Sequence, residues 1–509
     1  MGLKAFLLAI FLVAGVGSQW IAFDDDEFQH THMAWLMARG EVPHLDFFEH
    51  HLPLYHLLLA PFTLGNPGPD RILWLRGLSV LIFGLTLWAM DTLIRRRTGQ
   101  KVPAVILFVA ASPIFFLKMI EVRPEGFCIL LAFLAMLGLG GKDRKVFWAG
   151  FLAGAMVMGS QKFIFLAAGI FVIAWMEHGF RGAVRFALGG AISPVLIFLY
   201  FLVTGALPLA WEHLVVLNAQ WKETFSPAMY AGMLWETSAI LLVTAGAGLL
   251  AWQKPPAARA ALVLVAFGTL AVFLVPIPFR QTFLMLYPGL VLASALGWQH
   301  LETLVPRGRP RTFAGAALLI AALLPAFDGL RHEFSETLHE DMALMRHIHE
   351  ETEGPFFDGR GLVYWRSHVG YYPWLHEGLM MMLDEETYSQ TTQNAIREAG
   401  FPLLLWDYRI DYMPESLRTF FTQHYLSVEP SPLMVPGARV DRARLAGSGH
   451  SLTLPGPGVW QVTWQGGEVF VNDTPLQSGA QIETGADPIR VRGRGFVRDL
   501  RFIRVEARP

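Results

Sequence analysis

The chain has 509 residues, of which 53% are hydrophobic and only 16% charged, against roughly a quarter charged in an ordinary soluble protein. Its formal net charge is −2 and its mean hydropathy +0.40, with 40 charged side chains in residues 1–327 and 42 in residues 328–509. A soluble single-core enzyme, a disordered chain and a fibrous chain are excluded. Nothing basic enough points to a nucleic-acid partner, and the one cysteine, Cys128, rules out a disulfide framework or a cysteine-based zinc cage.

In chain order, apolar runs of helical length predict about eleven transmembrane helices, over 4–22, 72–94, 103–117, 125–140, 146–159, 163–178, 186–204, 233–252, 259–275, 282–299 and 312–327. The first run has no small-residue cleavage site before Phe23-Asp24-Asp25 and reads as an anchor. Alternate short loops hold Lys4, Arg95–Arg97 with Lys101, Lys142 with Arg144 and Lys145, Arg181 and Arg185, Lys254 and Arg259, and Arg307, Arg309 and Arg311. The opposite loops hold Arg39, Arg71, Lys118, Arg123, Lys162, Lys222 and Arg280, seven bases against fifteen. Positive charge marks the cytoplasmic face. The expectation is a multi-pass inner (plasma) membrane protein with a cytoplasmic N-terminus and residues 328–509 exported. On the outer side, Trp211–Lys222 reads as an amphipathic interfacial helix with Trp211, Leu214, Val215 and Trp221 toward lipid.

Residues 1–327 are thus expected to form an all-α polytopic membrane domain with a first outside loop at 23–71. An extracytoplasmic α/β section at 328–430 and a β-rich section at 431–509 follow. In the former, 336–350 reads as helix, and Gly361–Trp365 and Pro402–Trp406 as strands. In the latter, Gly458–Trp464, Glu468–Asn472, Ile489–Arg494 and Leu500–Val505 read as strands.

The first outside loop concentrates the chemistry: residues 24–56 hold six of the 17 histidines and seven carboxylates. Glu27–Arg39 has a helical pattern stopped by Gly40, with the acids Asp24-Asp25-Asp26-Glu27 at its start. One or two acids suffice to cap a helix and suit its dipole; four are more than a cap needs. A second helix is expected near Leu52, with Pro53 in its first turn and Glu49 just ahead.

Asp26-Glu27, followed about 22 residues later by Phe48-Glu49-x-x-x-Pro53-Leu54, resembles the GT-C superfamily of integral-membrane glycosyltransferases. The nearest likeness is to bacterial protein-mannosyltransferase and lipid A aminoarabinose-transferase types. The resemblance is strong over residues 20–60. It has weaker echoes at Val122-Arg123-Pro124-Glu125, at Gln161-Lys162, and at Arg280 with Tyr287-Pro288. It implies a polyprenyl-phosphate-sugar donor, a lipid, glycan or protein acceptor, and inversion at the sugar carbon. By position it implies Asp26 as general base, with Glu27 and Glu49 in the same catalytic cavity. Lipid A-modifying members carry an Arg three residues after the Asp and a Lys after the Glu, where this chain has Gln29 and His50. The phosphate is therefore expected on Arg123, Lys162 and Arg280, all at outside span ends, with Asp25, His30, His50 and His51 as further substrate contacts.

Asp26 and His30 share a helical face, and His50-His51 follow Glu49, so the loop could hold a divalent ion. No His-Glu-x-x-His signature is present, and no metal ligand is assigned. The rival reading is a lipid or glycan transporter or flippase, which expects charges at span centres and helix breaks paired between two halves. A non-catalytic assembly protein is a third.

Overall fold

The computed structural model describes residues 3–65, 68–141, 143–220, 227–251, 255–275, 279–304, 337–428, 431–440, 445 and 449–505. The expected span 312–327, and Lys142, Trp221, Lys222, Lys254, Arg307, Arg309 and Arg311, lie outside these residues. The chain divides into two compact units: Met1–Leu45, Glu49–Gly65 and Asp70–Glu340, and Asp46–Phe48, Asn66–Pro69 and Asp341–Pro509.

The first unit is helical. Its helices are α1 (Leu3–Gly17), α2 (Asp25–Ala38), α3 (Leu54–Thr63), α4 (Arg71–Thr98), α5 (Pro103–Ala110), α6 (Pro113–Ile120), α7 (Pro124–Leu139), α8 (Asp143–Gly159) and α9 (Ile164–Thr204). Then come α10 (Leu207–Trp211), a π-wound turn (Glu212–Leu217), α11 (Asn218–Gln220), α12 (Pro227–Ala251), α13 (Pro255–Leu274) and α14 (Tyr287–Leu304). Each expected apolar run within the described residues falls mostly on helix, although the first, 4–22, leaves helix after Gly17. Among them, four helical stretches are long and apolar enough to cross a membrane: Arg71–Thr98, Gln161–Thr204, Pro256–Leu274 and Arg280–Leu304. They are five if the bent pair α5–α6 is taken as one span.

Local chemistry explains the ends and breaks. Gly99 closes α4 in the left-handed region (φ 75°), its N–H on the Arg95 carbonyl, and Arg95–Arg97 sit in the last turn where cations suit exposed carbonyls. The expected span 103–117 is instead two helices bent by 71°. Pro113 removes a backbone donor and pushes Ser112 to an extended conformation (φ −69°, ψ 119°). Gly179 (φ 63°, ψ −167°) breaks α9 between the two runs expected there. Glycine lets α8 and α9 approach closely: a Cβ at Gly150 would lie 2.0 Å from the Phe186 carbonyl, and one at Gly154 2.1 Å from the Gly190 carbonyl. Over 207–220, Trp211 and Val215 are exposed as expected. Leu214 instead turns inward and packs near Leu52, Leu54 and Leu57, around Phe201 and Ala210.

The second unit holds α15 (Thr337–Glu351, which spans the division), α16 (Glu377–Met380), α17 (Glu385–Glu398) and α18 (Glu415–His424). Its strands are β1 (Phe356–Phe357), β2 (Leu403–Leu405), β3 (Tyr425–Ser427), β4 (Leu433–Val440), β5 (His450–Leu452), β6 (Gly458–Gln465), β7 (Glu468–Val471), β8 (Thr474–Leu476), β9 (Gln481–Thr484), β10 (Ile489–Arg494) and β11 (Arg498–Arg504). One sheet runs β1-β2-β4-β11-β6-β9 with β3 beside β4; the other runs β5-β10-β7-β8. Among the described strands β1 and β2 pair in parallel and the other pairs are antiparallel. Because β2 pairs β4, the first sheet crosses the division expected at residue 430. Trp460, Val462 and Phe502 of that sheet pack in one core with Val469 and Val491 of the other. Gly361–Trp365, expected as a strand, is a buried turn folded round Asp358, whose carboxylate accepts from the N–H of Gly361 and of Val363, both at 3.1 Å. Phe48 belongs to this unit: its N–H meets the Tyr371 carbonyl at 2.7 Å, and its ring lies beside Tyr372 and Trp374.

Candidate functional site

Helix α2 begins where the acids are. Asp24 is its N-cap: the Asp24 carboxylate accepts from Asp26 N–H (3.0 Å), and Glu27 Oε1 accepts from Asp24 N–H (3.1 Å), a reciprocal capping box. Glu27 is fully buried and turns away from the acid run. It accepts from Arg76 Nε (2.8 Å) and Nη2 (2.5 Å) and from Val122 N–H (2.9 Å). Arg76, itself 1% exposed, also donates to the carbonyls of Ser18, Ile21 and Ala22, and lies over the Phe23 ring at 4.3 Å. One guanidinium thus ties the segment after α1, the start of α2, and the body of α4. Its charge is compensated and its donors used, as a buried charge requires.

Arg123, the residue before α7, gathers the other acids. Its guanidinium meets Asp26 Oδ2 at 2.5 Å, Asp24 Oδ1 at 3.0 Å, and Glu121 and Glu125 each at 3.5 Å. Lys118 pairs with Asp24 (2.7 Å) and Glu121 (2.8 Å), and Lys162 with Glu125 (2.7 Å). Burial presses the Arg123 charge down, yet these four carboxylates hold its pKa well above the usual value. Burial pushes the Asp24 carboxyl up, but Lys118 and Arg123 overcome it and hold it below the usual carboxylate range. Asp26 and Asp24 are the open members, with 35% and 32% of their side chains exposed.

The third part is the turn Glu49–His51, ahead of α3. Glu49 Oε1 accepts from His50 N–H (2.8 Å), His51 N–H (2.9 Å) and the His51 ring Nδ1 (2.7 Å), so the chain wraps its own carboxylate. Burial would raise the Glu49 pKa; His51, with His56 and His50, pulls it well below. His30 of α2 and His56 of α3 meet nitrogen to nitrogen at 2.9 Å. Burial lowers both rings, His56 to about 4, and keeps them neutral near pH 7. His50 and His51 are the partly open ones, at 17% and 15%. Glu49, His50 and His51 bring three ligand atoms within 4.8 Å of one another. Glu49 Oε2 is buried with no hydrogen-bond partner among the described residues, so the turn has a donor set fit for a divalent cation.

The structure therefore brings Asp26, Arg123 and Lys162 into one ion-pair network, and Glu49, His50, His51 and His30 into one histidine cluster. Asp25 lies half-buried in the first turn of α2. Arg280 opens the turn Arg280–Leu286, exposed, and no contact among the described residues joins it to the network. Sequence reasoning missed Arg76, His56 and Asn218. A charge inside an apolar run is a pairing signal that marks Arg76; Asn218 carries no such mark.

No protein-family model and no curated protein sequence matches the chain. Solved structures do share its fold. Two crystal structures of ArnT from Cupriavidus metallidurans share it: one bound to undecaprenyl phosphate (TM-score 0.53) and one in the apo state (0.52). Each is 12% identical and covers 85% of this chain and 97% or 96% of its own. The oligosaccharyltransferase of Archaeoglobus fulgidus tethered with an acceptor peptide scores 0.45, at 12% identity over 84% of this chain and 73% of its own. At this identity the likeness is one of fold.

Proposed function

We propose that the chain is a glycosyltransferase of the membrane, moving a hexosyl or pentosyl group from a polyprenyl-phosphate donor to an exported lipid, glycan or protein. The carrying observation is Asp26. Around it Asp24 is held by Lys118 and its cap, Glu27 by Arg76, Glu125 by Lys162 and Glu49 by its own turn. Asp24 is as open, at 32% against 35%, but its carboxylate also meets Lys118 and its own helix start, whereas Asp26 meets Arg123. A general base needs a carboxylate that the acceptor can reach. In the reaction the acceptor nucleophile attacks the sugar carbon from the face opposite the phosphate. Its proton passes to Asp26, and the sugar–oxygen bond breaks with the electron pair going to the phosphate. Arg123 and Lys162 face acids, as do His50 and His51 through Nδ1 on Glu49 (3.5 and 2.7 Å); of these we assign the phosphate to the two adjacent imidazoles, which are partly open side by side in one turn. The fold shared with an ArnT bound to undecaprenyl phosphate supports a lipid-linked donor. In this reading Glu27 holds α2 in place, residues 1–327 form the membrane domain with the N-terminus inside, and 328–430 and 431–509 are exported.

The test is transfer from a radiolabelled polyprenyl-phosphate sugar into membrane extract. Wild type should transfer, and Asp26→Asn should lose at least about a hundredfold, the lower scale of general-base help, with lipid binding kept. Absence of transfer by wild type removes the reading. A near-wild-type Asp26→Asn removes Asp26 as the base, and loss in Asp25→Asn instead shifts the role one residue.

A further inference from the structure

Three elements converge on one peptide group. Gln161 Nε2, from the turn Gln161–Phe163, donates to the His50 carbonyl at 2.7 Å, and Asn218 Nδ2 of α11 donates to the same oxygen at 3.1 Å. At the other edge of that peptide, His51 N–H donates to Glu49 Oε1 at 2.9 Å. The Gln161 side-chain oxygen also accepts from Leu52 N–H at 3.4 Å, so this residue grips the chain on both sides of His51.

A peptide plane is rigid, so ψ of His50 and φ of His51 are the two torsions that set how the Cα–Cβ bonds of the two histidines are directed relative to one another. Bonds at its two edges hold that plane. The amides come from 111 and 168 residues away in sequence, so the turn's conformation is imposed from outside it. The second N–H of the Asn218 amide is shared between the carbonyls of His213 and Leu214, both 3.1 Å from Nδ2, within the π-wound turn. The extra residue of a π turn rotates the downstream residues by about 100°, one residue's share of a helical turn, and brings Asn218 over the His50 carbonyl.

We infer that Gln161 and Asn218 are positioning residues that set the His50–His51 peptide, and through it both imidazoles, for a lipid-borne phosphate. This rests on the reading that these imidazoles take the donor phosphate. Neither residue touches the reacting atoms.

The experiment uses the full chain in neutral detergent and two probes of equal length, a polyprenyl phosphate and the corresponding polyprenol. Gln161→Glu and Asn218→Asp keep size and cannot donate to the carbonyl; Gln161→Met and Asn218→Leu repeat the test without added charge. Each single variant should weaken phosphate binding about fivefold, the scale of one neutral hydrogen bond, and leave polyprenol binding unchanged. The double variant should lose more than the product of the singles, because either amide alone still holds the shared carbonyl. Variants that bind the phosphate as wild type does, or that lose both probes equally, overturn the inference while the phosphate reading stands. A wild type that binds the two probes alike removes that reading, and this inference with it.

Discussion

Glu121 stands at the end of α6, between Lys118 and Arg123. Burial pushes its carboxyl up, the Lys118 charge pulls it back, Asp24 pushes it up again, and the outcome is about 7. The unfolded value is 4.5, so between about pH 4.5 and 7 the folded state holds more protons than the unfolded one. Stability then falls as pH rises through that window. Glu121→Gln should remove this slope, flattening the unfolding midpoint of the detergent-solubilised chain over the same range; an unchanged slope would assign it to another group. The acids of this site were readable from sequence because four in a row exceed the needs of a cap. Arg123 and Lys162 were readable as cations at outside span ends. Their partnership was not: Asp26 and Arg123 are 97 residues apart, and only the packing of helices decides that Arg123 faces four carboxylates.

At the scale of elements, the loop that carries the acids is held by the Glu27–Arg76 pair. Breaking a buried pair by removing one partner costs about 3–5 kcal/mol, whereas replacing both partners with neutral groups costs far less. Arg76→Met should therefore destabilise by about that amount. Adding Glu27→Gln should recover part of it, although the carbonyls of Ser18, Ile21 and Ala22 stay without their donor. A double-mutant cycle read by thermal unfolding checks this, and strict additivity would mean that the two side chains do not act as a pair. The bend between α5 and α6 was written in Ser112-Pro113, but the apolar run hid it. Its cost is shared: at the bend, Ser112 Oγ lies 2.5 Å from the Tyr287 hydroxyl and 3.1 Å from Ser238 Oγ. Ser238 is itself a break in α12 (φ −141°, ψ 17°). Gly361–Trp365 misled for a different reason: its residues are buried like a strand's, but the Asp358 carboxylate takes up the backbone donors that a strand would give to a neighbour.

For the whole molecule, the alternation of charge between loops is the argument that does not depend on any single helix boundary. The described helices include four, or five with the bent pair, that are long and apolar enough to cross a membrane. Length alone leaves the parity of crossings open, whereas fifteen bases on one set of loops against seven on the other predict one. The arrangement predicts that the loop after α4 and the second unit lie on opposite sides. Gln100 and Gln477 are both exposed, and neither has the positive φ that makes a new side chain strained at Gly99 or Gly449. Cys128 is fully buried, its thiol on the Met156 carbonyl at 3.2 Å, and should not react with a membrane-impermeant maleimide. Gln477→Cys should label in intact spheroplasts, and Gln100→Cys only after the membrane is opened. Labelling of both from the same side would place the acid-bearing loop and the second unit on different faces. In the case where both label from outside, the acid-bearing loop is inside and an exported acceptor could no longer reach Asp26; where both label only after opening, that loop stays outside and the export of the second unit is removed.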